Sequence, residues 1–128
     1  MVFLNVFQKY IQPSIEILNI RIDEPITTLT DLLFAAICFY AFFQIRRLEH
    51  TGRVKWCFKY YFLTLGFGAL FGGVLGHAFL YTLSPAWQLV SWVLSMIAVA
   101  LIVHALVELS KPLVQPWLTR WVSGINLL

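Results

Sequence analysis

Three long apolar runs, each closed by charge or proline, organise the chain. The first, "ITTLTDLLFAAICFYAFFQI", covers residues 26–45 and is stopped by Arg46 and Arg47. Pro25 suits the first turn of a helix, where its missing N–H has no intrahelical partner, and Asp23 and Glu24 favour the positive end of the helix dipole. The second run covers 57–81 and the third covers 87–109, with "TLSPA" as the tight turn between them. Each is long enough to cross a hydrocarbon core of about 30 Å as a helix of roughly 20 residues. The pattern predicts an all-α integral membrane bundle with three transmembrane helices, in one domain.

The ends of the chain are patterned differently. Phe3, Phe7, Tyr10 and Ile11 recur at helical spacing before Pro13, and Ile15, Leu18 and Ile22 do so after it, with Gln8, Lys9, Glu16 and Arg21 interspersed. Residues 1–24 therefore read as an interfacial amphipathic segment, a helix broken near Pro13 that lies on the membrane. No apolar core with a small-residue cleavage site follows a charged start, so this segment is not expected to be a cleaved signal. Residues 111–128 carry Pro112 and Pro116 and then Trp117, Arg120 and Trp121, and read as a cytoplasmic or interfacial tail or as the start of a fourth span.

Composition removes a water-soluble fold from consideration: 60% of residues are apolar, 16% aromatic and 12% charged, with mean hydropathy +0.81. The formal net charge of +3 does not point to nucleic acid, because the basic residues collect at the ends of apolar runs. Arg46, Arg47, Arg53, Lys55 and Lys59 make "RRLEHTGRVKWCFK" the most basic segment, which places this connection in the cytoplasm, the N-terminus outside and the C-terminus inside. Trp56, Tyr60, Tyr81 and Trp87 fall at the inferred interfaces. The expected partners are the lipid bilayer and other membrane helices or a second copy of the chain. Cys38 and Cys57 lack metal or redox spacing and read as small buried hydrophobes.

Within the second run Gly68, Gly72 and Gly76 are spaced by four, with Ala69, Gly73 and His77 on the adjacent stripe. Small residues at that spacing let helix backbones approach closely in lipid, which reads as a helix-packing face. His77 and Asp31 lie at similar depths from the same side of the membrane. Thr27 and Thr30 flank Asp31, and Gln88, Ser91 and Ser95 give the third helix a polar stripe opening at the same end. Ionisable groups inside spans are costly enough that they face a bundle interior and find a partner, so Asp31 and His77 head a candidate polar site of Thr27, Thr30, Asp31, His77, Gln88 and Ser91. His104 and Glu108, at i and i+4, form a second polar pair near the opposite end, and His50 reads as solvated. A zinc site built from all three histidines is excluded, because His77 lies near one membrane face and the other two near the opposite one. A proton or ion path joining the two pairs would have to cross a long apolar stretch. No HExxH, GxSxG or phosphate-cradling loop is present.

The segments "EPITTLTDLLFAA" and "GGVLGHAF" resemble the opening half of uncharacterised bacterial seven-helix membrane proteins, and more distantly the superfamily of membrane hydrolases that includes alkaline ceramidases and adiponectin receptors. In that superfamily a Ser four residues before a His on the second helix, an acidic residue in the third and a late HxxxH build a zinc site that hydrolyses lipid amides. Here Gly73 takes the Ser position, His77 the His position, and Gln88 lies near that of the acid; no late HxxxH is found. The resemblance implies the N-terminal half of a longer bundle in a bacterial inner membrane. As an alternative to a packing or assembly role, it implies a ceramidase-like, zinc-dependent lipid amide hydrolase, with His77 as a metal ligand and Asp31 as a group that orients a ligand from behind or handles a proton.

Overall fold

The computed structural model describes residues 13–49, 51–79, 81–83 and 85–111, together with Gly124. The readings of residues 1–12, of His50 and of Trp117, Arg120 and Trp121 in the tail lie outside the described residues. Two short strands come first, β1 (Ser14–Ile17) and β2 (Ile20–Asp23), followed by the helices α1 (Pro25–Arg47), α2 (Arg53–Phe71) and α3 (Gln88–Ser110). The last turns of the second helix, Gly72–Ala78, are wound as a π-helix, and a single 3₁₀ turn, Pro85–Trp87, leads into α3.

The strands correct the interfacial helix expected after Pro13. They pair antiparallel, Ser14 with Asp23 through Ile17 with Ile20, around the two-residue turn Leu18-Asn19. Both turn residues have positive φ, 52° and 65°, the combination whose twist matches a tight hairpin. The physical reason is the isoleucine pattern. Ile15 and Ile17 alternate with Ser14 and Glu16, and Ile20 and Ile22 with Arg21 and Asp23, a period of two in β-branched residues. The helical triplet Ile15, Leu18 and Ile22 is a coincidental subset of it. Glu24 N–H closes the base of the hairpin on Pro13 O at 2.8 Å, and the fold is therefore mostly helical with a small two-stranded addition.

Three helical stretches, Pro25–Arg47, Arg53–Ala78 and Gln88–Ser110, are long and apolar enough to cross a membrane, with mean hydropathy 1.8, 1.3 and 2.4. Arg46 and Arg47 occupy the last turn of α1, where cations meet the negative end of the helix dipole. Most large apolar side chains point outward, among them Ile37, Trp92 and Met96, while the most deeply buried positions are small: Ala35, Cys38, Ala98 and Ala105. That inversion suits a chain whose solvent is lipid, where close packing of backbones holds helices together.

α2 lies in the middle. α1 and α3 each pack along it and scarcely touch one another. Two faces of the second helix are built from glycine. On one, added Cβ atoms at Gly68, Gly72 and Gly76 would stand 3.3 Å from Ser95 Oγ, 2.9 Å from Ser91 Oγ and 3.3 Å from Gln88 Cγ, all on α3. On the other, Cβ atoms at Gly66 and Gly73 would stand 3.0 Å from Phe39 Cε1 and 2.8 Å from Asp31 Cβ, both on α1. Phe39 also meets Phe67 edge to face, with ring centroids 5.1 Å apart.

Overpacking at these contacts orders the substitutions. Gly73→Ala forces α1 away from the second helix and is expected to destabilise by about 1–3 kcal/mol, whereas Gly76→Ala meets only the flexible stem of Gln88 and costs less. Reversible unfolding of both variants in mixed micelles checks the order.

Candidate functional site

At the hairpin end of the helices, the run Gly72-Gly73-Val74-Leu75-Gly76 is a poor α-helix former, since each glycine gives up more backbone freedom than any other residue. The helix widens there: Phe79 N–H bonds Val74 O at 3.2 Å, five residues back. π-turns occur mostly as short interruptions of α-helices and are frequent at functional sites. This one carries His77 on its last turn.

His77 stands between two carboxylates. Its Nδ1 lies 2.7 Å from Glu24 Oε2, and its Nε2 lies 3.9 Å from Asp31 Oδ2. The first is a charge-assisted hydrogen bond; the second is beyond hydrogen-bond reach but within range of strong Coulomb attraction once the ring is protonated. With Nδ1–H given to Glu24, Nε2 is left with its lone pair facing Asp31, and a proton arriving there turns the ring into a cation flanked by two anions. The three side chains are 24–33% exposed.

Local geometry explains why Glu24 reaches the ring. It is the residue between β2 and α1, in a left-handed conformation with φ 47° and ψ 57°, a strained state for a side chain other than glycine. The Pro13 bond on one side and Pro25 on the other hold that corner, and Thr28 hydroxyl donates back to Asp23 O at 3.4 Å. Asp23 itself is buried and accepts from Arg21 Nε at 2.8 Å. The guanidinium of Arg21 in turn lies over the Tyr81 ring at 5.6 Å, so the hairpin is tied to the segment that follows the π-turn.

The remaining candidate residues are placed as follows. Gln88 Nε2 donates to Gly76 O at 3.1 Å, and Ser91 Oγ donates to Gly68 O at 2.8 Å, so both tie α3 to the backbone of the second helix. Those carbonyls are reachable because no side chain covers them. The two groups approach each other at Gly72, whose added Cβ would touch Ser91 on one side and stand 3.9 Å from Asp31 Oδ2 on the other. Thr30 is exposed and gives its hydroxyl to Thr27 O at 2.8 Å, which keeps that pair within the surface of α1. Thr28 is the threonine at the α1 and second-helix seam, with its carbonyl 3.4 Å from the Cβ position of Gly73. His104 and Glu108 lie at the opposite end of α3.

Glu24 is the residue that the sequence reading assigns only to the helix dipole. No periodicity in the sequence signals its second role, because Glu24 precedes α1 and reaches the ring from a left-handed corner. A zinc centre fits these residues poorly. Glu24 and Asp31 lie against opposite nitrogens of one imidazole, whose lone pairs diverge, so one ion cannot collect all three. Among the described residues no group of three or more His, Cys, Asp or Glu side chains is arranged to hold a metal ion. Ligands for a metal at His77 would have to come from elsewhere.

Residues 26–128 match a family described as a family of unknown function, DUF6962. The chain belongs to DUF6962. The DUF6962 match takes in all three helices together with Asp31, His77, Gln88 and Ser91, and begins after the hairpin and Glu24. No curated protein and no solved structure matches the chain significantly. DUF6962 carries no described activity, and nothing in the match links it to the ceramidase and adiponectin receptor superfamily.

The unequal distances predict unequal energies. A double-mutant cycle of Glu24→Ala with His77→Ala is expected to give a coupling of about 1 kcal/mol, in the range of polar contacts between membrane helices, and the cycle of Asp31→Ala with His77→Ala a smaller one. Unfolding of the four single and double variants of each cycle in micelles measures both. The reverse order would mean that the ring faces Asp31 in the membrane.

Proposed function

We propose that this small membrane protein of unknown activity is a packing and assembly module: a layer of three helices completed by further transmembrane helices, from a second copy, another protein or a longer chain. The observation that carries this reading is the arrangement of α1 and α3, which flank the second helix and scarcely touch each other. Three helices closed into a bundle would each have two neighbours; here the outer two have one. Large apolar side chains of both outer helices are open among the described residues, with Ile37 on α1 63% and Met96 on α3 71% exposed.

The polar groups support the same reading. Ser91 and Gln88 are bonded to backbone carbonyls and His77 to Glu24, so they fasten helices together. Asp31 and His77 keep a third of their side-chain surface open, at a depth of about 9 Å from the start of α1 at 1.5 Å per residue. Ionisable surface at that depth is costly against lipid, and a covering helix relieves the cost. The hydrolase alternative has no comparable support, because the described residues offer His77 and two carboxylates that cannot converge on one ion.

For orientation, the reading places the Arg46–Lys55 connection in the cytoplasm and the hairpin outside, following the basic residues.

Benzophenone photocrosslinkers introduced at Ile37 and Met96 in the native membrane are expected to shift the protein to a discrete higher-mass band. Adducts to lipid alone at both positions would sink the assembly reading. Glu49→Cys is expected to react with a membrane-impermeant maleimide only in inside-out vesicles; labelling in right-side-out vesicles would invert the assigned orientation.

A further inference from the structure

At the basic end of the layer, opposite the His77 site, α2 and α3 line a cavity of about 380 Å³ with Arg53, Trp56, Cys57, Leu101, His104 and Glu108. The volume falls in the range of small-molecule sites. Its lining is graded. On α3, Glu108, His104 and Leu101 lie at i, i−4 and i−7, and on α2, Arg53, Trp56 and Cys57 lie at i, i+3 and i+4, so each helix contributes one stripe that runs from charged to apolar. From Glu108 to Leu101 the stripe descends about 10 Å at 1.5 Å per residue.

We propose that this cavity binds the headgroup of an anionic phospholipid, with the phosphate at Arg53 and Lys111 and the glycerol and upper acyl chain against Trp56, Cys57 and Leu101. The charge at the mouth is complementary. Glu108 lies 3.5 Å from Arg53 and 2.5 Å from Lys111, so one carboxylate faces two cations and the mouth is net positive. The Arg53 side chain is 82% exposed, and a pair so exposed is weak enough for the guanidinium to turn to a phosphate. His104 lines the middle of the cavity, has no hydrogen-bond partner among the described residues, and is available as a further donor. Arg46, Arg47, Lys55 and Lys59 flank Arg53 in the sequence and raise the local concentration of acidic lipid at this end of the helices. A soluble anion would use only the charged half of the gradient; a phospholipid uses its whole length. The proposal depends on α2 and α3 crossing the membrane and is independent of the assembly reading.

Native mass spectrometry of the full chain in neutral detergent, titrated with phosphatidylglycerol or with phosphatidylcholine of the same acyl chains, tests it. The expected result is preferential binding of phosphatidylglycerol, lowered about fivefold by Arg53→Gln, as one cation contributes on the order of 1 kcal/mol to acidic-lipid binding, and lowered clearly less by Arg46→Gln, which only adds to the surrounding charge. Leu101→Trp, which fills the deep end without altering charge, is expected to reduce occupancy by both lipids; Arg53→Gln stands as the test should that variant fail to fold. Equal binding of the two lipids, or an equal loss in Arg46→Gln and Arg53→Gln, would overturn the site in favour of diffuse surface charge. Displacement of phosphatidylglycerol by excess inorganic phosphate would overturn the lipid assignment and leave a site for free anions.

Discussion

The closeness with which two helices lie on the backbone of the second helix is the constraint from which the rest of the structure follows. Gly68, Gly72 and Gly76 admit α3, and Gly66 and Gly73 admit α1, with added Cβ atoms falling 2.8–3.3 Å from their nearest neighbours. In lipid there is little hydrophobic gain in bringing helices together, so contact area and interhelical hydrogen bonds decide the matter. Glycine serves both. It removes the side chain that would hold the helices apart, and it uncovers the carbonyls of Gly68 and Gly76 to Ser91 and Gln88.

Two departures from regular backbone geometry meet at His77. The ring is carried by a π-wound turn, and its closer partner, Glu24, occupies a left-handed corner that is strained for a residue with a Cβ. Either alone would be a local irregularity. Together they bring residues 53 positions apart to 2.7 Å and link the hairpin, α1 and the second helix through one imidazole. Strain persists where surrounding structure holds it, and here the hairpin base, Pro25 and the glycine seam do so.

The helices are legible in the sequence because composition and length alone demand them: Arg46 and Arg47 end α1 where the apolar run stops, and the third run maps onto α3 within a residue or two. The hairpin is not, because Ile15, Leu18 and Ile22 satisfy a helical spacing while all four isoleucines satisfy a strand, and a ten-residue window does not separate the two. The π-turn is hidden for a related reason, since the four-residue glycine spacing fits an α-helix and nothing in it records where the winding loosens. Asp31, His77, Gln88 and Ser91 can be placed at one end of the molecule from depth alone. Depth does not say which helix face each occupies. It therefore cannot separate the Gln88 and Ser91 contacts from the Asp31 side, or promote Glu24 above Thr27 and Thr30.

The flanking arrangement of α1 and α3 has a consequence for how the chain is made. Since each helix packs on its neighbour in sequence, the seam between α1 and the second helix, with Glu24 and Asp31 beside His77, uses no contact with α3 and can form without it. α3 then docks on a prepared groove of glycines. Such nearest-neighbour order lets a ribosome-bound chain fold as it emerges, without waiting for its last helix and without any earlier pairing having to be undone.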